Sequence, residues 1–370
     1  MRLAVLLALL AGCDALFHLD PVPLHDAAEA HDGPGSDAPA ACSAGQATFT
    51  GAGIVAIAAG DVDHDGAMDL AVAEQTGAMG DVVILGGDAA RHLPTRTEFA
   101  PGAQPISLAW YTASGATLPD LAVVLSPLNE LHLYRNDNGT VGSVATVVTV
   151  ANPTTALIVA DVYADTKPEI VVGTTSSMLL YDVSTTALQP IGTNPLGNTT
   201  HFASGQLGGD SAQDLAASSS ANNYSRIIGT RSASFMTVSP STSAPTGGVA
   251  VGDFNNDHAD DIAYSIPSAG MVNVALGPSF ATSPAIPAIG ATPLLAVELT
   301  GDTNLDLVAG TKDGVVLLAG NGDGTFANPV KMATTAELVI ALAAGDFDHD
   351  GHTDLAYATT KSVTVMYECQ

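Results

Sequence analysis

Short apolar runs rich in Val, Ala, Leu and Ile recur along most of the chain, separated by polar segments dense in Asp, Asn, Gly and Ser. No long stretch carries Leu, Glu and Lys at helical spacing. This pattern predicts strands joined by tight turns. One unit repeats seven times: an apolar strand runs into an acidic loop that ends in Asp-Leu or a close variant. The copies occupy residues 58–70, 110–121, 160–170, 205–215, 252–262, 297–307 and 345–355. Their first loop positions fall at 61, 112, 161, 206, 253, 298 and 346, giving intervals of 51, 49, 45, 47, 45 and 48. Seven copies at this period predict an all-β protein, a seven-bladed propeller of four-stranded antiparallel blades.

A second landmark supports the same alignment. About twenty positions after the last loop acid, a turn leads into an apolar residue, as in G-N-G-D-G-T-F ending at Phe326 and N-D-N-G-T-V ending at Val141, with counterparts ending at Phe235 and Phe280. Asn-Gly and Asp-Gly supply the positive φ angles that tight hairpins need. Each repeat therefore reads as inner strand, acidic loop, second strand, third strand, tight turn and outer strand. The seventh repeat reaches Gln370 without this landmark, whereas Ala47-Thr48-Phe49 precedes the first inner strand. The N-terminal strand is expected to complete the last blade and close the ring. Closure would bring Cys42 and Cys369 together, so a Cys42–Cys369 disulfide is expected.

Composition agrees with β-structure through 37 Gly and 21 Pro, and the charge balance is lopsided: 10 Lys and Arg against 38 Asp and Glu, a formal net charge of −28. Such a polyanion disfavours nucleic acid as a partner and favours cations. Residues 1–12 join one positive charge to an apolar run too short to span a bilayer, as a signal peptide does. Leu10-Ala11-Gly12-Cys13 resembles the bacterial lipobox, which implies acylation at Cys13 and an exported protein lipid-anchored in the cell envelope. Residues 13–41, rich in Ala, Asp, Pro and Gly, read as the lipidated cysteine and a flexible linker, and residues 42–370 as the propeller.

From about Ser43 onward the chain resembles the FG-GAP/VCBS repeat family, which includes the N-terminal propeller of integrin α-subunits. The resemblance is carried by D-V-D-H-D-G-A-M-D-L, D-F-N-N-D-H-A-D-D-I, D-F-D-H-D-G-H-T-D-L and G-N-G-D-G-T-F. It implies that the acidic loops bind calcium. The spacing D-x-D-x-D-G-x-x-D suits that ion, which takes six to eight oxygens. Asp61, Asp63 and Asp65 offer carboxylates at alternate positions, Asp69 closes the set, and Gly66 permits the turn. Asp346, Asp348, Asp350 and Asp354 form an equally complete set, and Asp253, Asn255, Asp257 and Asp261 one with a neutral member. Glu298, Asp302 and Asp306, with Thr300, make a weaker fourth. Asp161, Asp165 and Glu169 lose the third loop position to Tyr163, and Asp210 and Asp214 stand beside Gln206 and Gly208, so calcium ligation and a plain solvated turn both remain open there. The second repeat keeps only Asp120 and is expected to be metal-free. About three or four calcium ions are therefore expected.

His64, His258 and His349 lie within these loops and read as solvent-facing, and Trp110 as a packing residue. No nucleophile elbow, zinc-protease helix, phosphate loop or dinucleotide fingerprint occurs in the chain. The expectation is a monomeric, non-catalytic binding or scaffold module for a protein or glycan; the alternative is a propeller-type lyase or hydrolase acting at the central channel. In integrin-like relatives the ligand face lies opposite the metal loops. There Asn222, Asn223 and Tyr224 are the most polar-aromatic group, able to hydrogen-bond and stack on a sugar.

Overall fold

The computed structural model describes Cys42 and residues 45–367, apart from 114, 184–187, 189, 197, 211, 221–222, 231 and 289. The expected signal peptide, the lipidation site at Cys13 and most of the linker lie outside the described residues. The described residues form strands and no helix, arranged as seven antiparallel sheets. Blade 1 consists of Ile54–Gly60, Asp69–Thr76, Met79–Leu85 and Thr95–Phe99, paired in that order. Blades 2 to 6 repeat the meander over 104–149, 154–194, 199–238, 249–287 and 294–334. In blade 5 the outer strand is split into the two-residue pieces Ala281–Thr282 and Ile286–Pro287. Pro284 and Pro287 in that stretch cannot donate to a ladder.

The second strand of blades 3 to 7, such as Glu169–Thr174 or Asp306–Thr311, is buried along its whole length, and those of blades 1 and 2 are buried except at their ends. A blade packs a neighbour against both of its faces, so these strands are nearly continuous runs of apolar and small residues, unlike the half-buried outer strands. Seven apolar clusters result, one at each junction between adjacent blades. The cluster joining blades 7 and 1 contains Leu70, Val72, Leu85, Phe347, Ala356 and Val363, so the ring is closed by the same kind of packing as every other junction.

The last blade is completed as the sequence implies. Gln46–Thr50 pairs with Ser362–Met366, with Gln46 opposite Met366 and Thr50 opposite Ser362. Cys42 is disulfide-bonded; Cys369, the expected partner, lies outside the described residues. The turn landmark holds as well: Asn138 and Gly139 have φ of 54° and 84°, the paired positive values of a tight hairpin.

Candidate metal centres in the blade loops

Each acidic loop leaves the inner strand at position one and re-enters the sheet at position nine. The residue at position nine is an acid in all seven blades, and the structure gives it a definite task. In blade 1, Asp69 is fully buried; the Val62 N–H donates to its Oδ2 at 2.8 Å and the Gly87 N–H to its Oδ1 at 3.0 Å. One carboxylate thus ties the loop to the end of the third strand. Asp261 does the same through Phe254 and Gly277, and Asp306 through Leu299 and Gly320. Glu169 and Asp354 accept the Val162 and Phe347 N–H groups, and Asp214 accepts that of Gly229. Asp120, in the blade without other loop acids, accepts the Asn136 N–H at 2.7 Å. Burial pushes Asp69, Asp214 and Asp261 up to about 6 and Glu169 up to about 8. The backbone donors, which favour the ionised form, offset only part of that cost.

Positions one and five organise the turn. Asp346 accepts the N–H groups of Asp350 and Gly351, Asp253 those of Asp257 and His258, and Asp161 those of Asp165 and Thr166. In six of the loops the fifth position accepts from the seventh: Asp65 from Ala67, Asp350 from His352, Asp257 from Ala259, Asp165 from Lys167, Asp302 from Asn304 and Asp210 from Ala212. Glu298 accepts from Gly301. These are Asx-type turns, which form with or without an ion. Positions four and six lie in the left-handed region: His64, Asn256 and His349 at four, Gly66, His258 and Gly351 at six. The three exposed histidines therefore serve the turn's backbone, which His and Asn tolerate better than most residues.

Position three separates the loops. In blades 1 and 7 it is an aspartate, and Oδ1 of Asp63 and of Asp348 is buried with no hydrogen-bond partner, as is Oδ1 of Asp61. Asp348 is 3 % exposed. One oxygen from each of Asp61, Asp63 and Asp65, and one from each of Asp346, Asp348 and Asp354, lie within 4.8 Å of one another. Calcium–oxygen distances of about 2.3–2.6 Å allow two ligands of one ion to sit that far apart, so both groups fit a calcium ion. In blade 5, Asn255 turns its amide N–H to Asp257 Oδ2 at 3.0 Å. In blade 3 the side chain at position three is Tyr163, with a buried hydroxyl. Thus the first and seventh loops carry the best-formed oxygen cages, while the other loops hold together by internal hydrogen bonds.

Two residues that sequence reasoning passed over stand at these cages. Arg96 pairs with Asp63, Asp65 and Asp69, and Arg91 crosses from blade 1 to Asp348 and Asp350 of blade 7. Arg91 and Asp348 are 257 positions apart, so no local signal could have joined them. At the expected ligand face, Tyr224 is 3 % exposed and its ring stacks on Tyr264 at 4.4 Å. That ring is part of the junction between blades 4 and 5 and offers no face to a sugar, which corrects the expected stacking role. Asn223 is half-buried, its carbonyl accepting from Thr246 at 2.7 Å, and Asn222 lies outside the described residues. Trp110 is fully buried, with Nε1 donating to the Ala58 carbonyl at 3.1 Å.

Comparison with known proteins gives a consistent picture. Residues 299–357 match the FG-GAP-like repeat family. Among solved structures, the chain is similar to BBS1N in its complex with ARL6DN, at 16 % identity and a TM-score of 0.64, covering 86 % of this chain and 94 % of that one. It is also similar to Chaetomium thermophilum Sqt1 bound to the N-terminus of the ribosomal protein L10, at 14 % identity and a TM-score of 0.58, covering 85 % and 87 %. At such identities the likeness is one of fold. No curated protein matches the sequence significantly.

Proposed function

We propose that this seven-bladed FG-GAP-like β-propeller is a non-catalytic protein-binding module, stabilised by calcium and held in a cell envelope by a lipid on Cys13. The observation that carries the calcium reading is the set of buried, partnerless oxygens on Asp61, Asp63 and Asp348. A buried carboxylate oxygen without a partner is costly, and a divalent cation would relieve it. Asp61, Asp63 and Asp65 would hold one ion, and Asp346, Asp348 and Asp354 another. Bound calcium supplies charge neutralisation at the mouth of the ring junction.

The protein-binding reading rests on the fold. Propellers present loops on a rigid ring, and the two similar structures named above are both of propellers held in complexes with proteins. The buried ring of Tyr224 removes the feature that favoured a glycan. The non-catalytic reading is supported by the position-nine carboxylates, which are occupied by backbone N–H groups. Envelope anchoring rests on the sequence of residues 1–13. Metabolic labelling with a palmitate analogue in a bacterial host should mark the wild type and not Cys13→Ser, and an unlabelled wild type would remove the anchor from the proposal.

Thermal unfolding tests the metal. In calcium at 100 times the dissociation constant, one site should add about 2.7 kcal/mol over the protein in chelator. Asp348→Asn should lose part of that gain. A melting temperature that is the same in EDTA and in millimolar calcium would end the calcium reading.

A further inference from the structure

Both cages are approached by a guanidinium from blade 1: Arg91 from the connection between its third and outer strands, Arg96 from the outer strand Thr95–Phe99 itself. Residues 86–94 join the third strand of blade 1 to its outer strand, and the turn is organised by Asp88, which accepts the N–H groups of Ala90 and His92 at 2.9 and 3.0 Å. Arg91, at φ 61°, projects across the junction: Nε lies 2.6 Å from Asp348 Oδ2, Nη2 lies 3.3 Å from Asp350 Oδ2, and Cζ sits 5.5 Å over the Tyr367 ring. Arg96 turns back into blade 1, with Nη1 on Asp63, Nη2 3.2 Å from Asp65 Oδ2 and Nε 3.2 Å from Asp69 Oδ1. Its approach depends on Gly86, where a Cβ would lie 2.2 Å from Arg96 Nε. The arginines stand at the two loops whose third position is an aspartate.

Each guanidinium takes one oxygen of the position-three aspartate and leaves the other buried without a partner. A divalent cation bound to that second oxygen would lie within a few ångströms of an arginine charge, and like charges at that distance repel strongly even with protein screening. We propose that Arg91 and Arg96 are internal counter-cations that hold the loops of blades 7 and 1 when no divalent cation is bound, and that calcium displaces them. Displacement releases the Arg91 side chain from Asp348 and Asp350, so the ion controls exposure of the chain at Arg91, while Gly87 stays held by Asp69. The proposal rests on the calcium reading, and takes from it only that these two loops bind the ion.

The test uses the full chain and calcium as the probe. Isothermal titration calorimetry of wild type and Arg91→Gln/Arg96→Gln should show about tenfold tighter binding at the strongest sites of the variant, because the competing charge is gone. The variant should also melt at a lower temperature than wild type in chelator. Trypsin, which cuts after arginine, supplies a readout that needs no variant: calcium should accelerate cleavage after Arg91 in wild type. Calcium binding with equal affinity in both proteins, together with an unchanged rate of cleavage after Arg91, would overturn the competition while leaving the calcium reading intact. Absence of binding to either protein would overturn both.

Discussion

The junction between blades 1 and 2 and the junction between blades 7 and 1 have the same architecture and different chemistry at the loop end. At the first, Trp110 fills the space beside Gly60, where a Cβ would lie 2.7 Å from the indole, and the Asn136 side chain donates to the Val62 carbonyl at 2.7 Å. These contacts are made by neutral groups. At the second, the Met68 N–H donates to the Asp346 carbonyl at 2.7 Å and the rim is a meeting of carboxylates with Arg91. Beneath both lies an apolar cluster that packs the blades together. The contrast shows that apolar packing sets the ring, while the contact across the loop end can be made by a neutral indole and amide or by a clasp of carboxylates and a guanidinium.

Three changes probe that contrast. The largest effect should come from Trp110→Ala, which empties a fully buried indole site and should cost about 3–5 kcal/mol. The loss, measured by denaturant unfolding, should be equal in chelator and in calcium; a loss that calcium repaired would mean that the two junctions are not independent. Next, Asp120→Ala should cost about 1–3 kcal/mol by leaving the Asn136 N–H without its acceptor, again with no dependence on calcium. A calcium-dependent penalty would show that blade 2 does take part in metal binding.

The third change is one of pH on the metal-free protein. The carboxyls of Asp69, Asp214 and Asp261 hold their protons up to about 6, and Glu169 up to about 8, because burial disfavours the charge. In the unfolded chain they ionise near ordinary carboxylate values of about 4. The folded state therefore binds more protons between those limits, and raising the pH favours unfolding. In chelator the melting temperature should fall from about pH 4.5 toward pH 8. A rise over that interval would contradict the burial of these acids, and a flattened profile in calcium would tie them to the ion.

Much of the site was legible because its spacing is local. The loops at 61–69 and 346–354 were the most complete in sequence, and among the described residues they are the two whose acids converge. Less legible was the division of labour within a loop. Sequence presents Asp61, Asp63, Asp65 and Asp69 as one set of ligands, whereas Asp69 is a staple bound to two backbone N–H groups and the fifth position caps a turn. The survival of Asp120 in a loop stripped of its other acids was the available clue that position nine serves the fold. Tyr224 misled for a related reason: aromatic and polar neighbours look alike in sequence whether a ring turns outward or stacks in a core.

What the sequence determined by itself is the blade: the apolar runs, the turn residues and the seven-fold spacing are short-range features, and each blade is built from consecutive strands. It also pointed to closure, through the short apolar strand around Ala47-Thr48-Phe49 ahead of the first inner strand, which pairs with the last blade. The tertiary structure alone decided which loops carry partnerless oxygens and which cations face them. Those properties arise where segments as distant as Arg91 and Asp348 meet across the ring, and burial and long-range charge pairing exist only once the ring has closed.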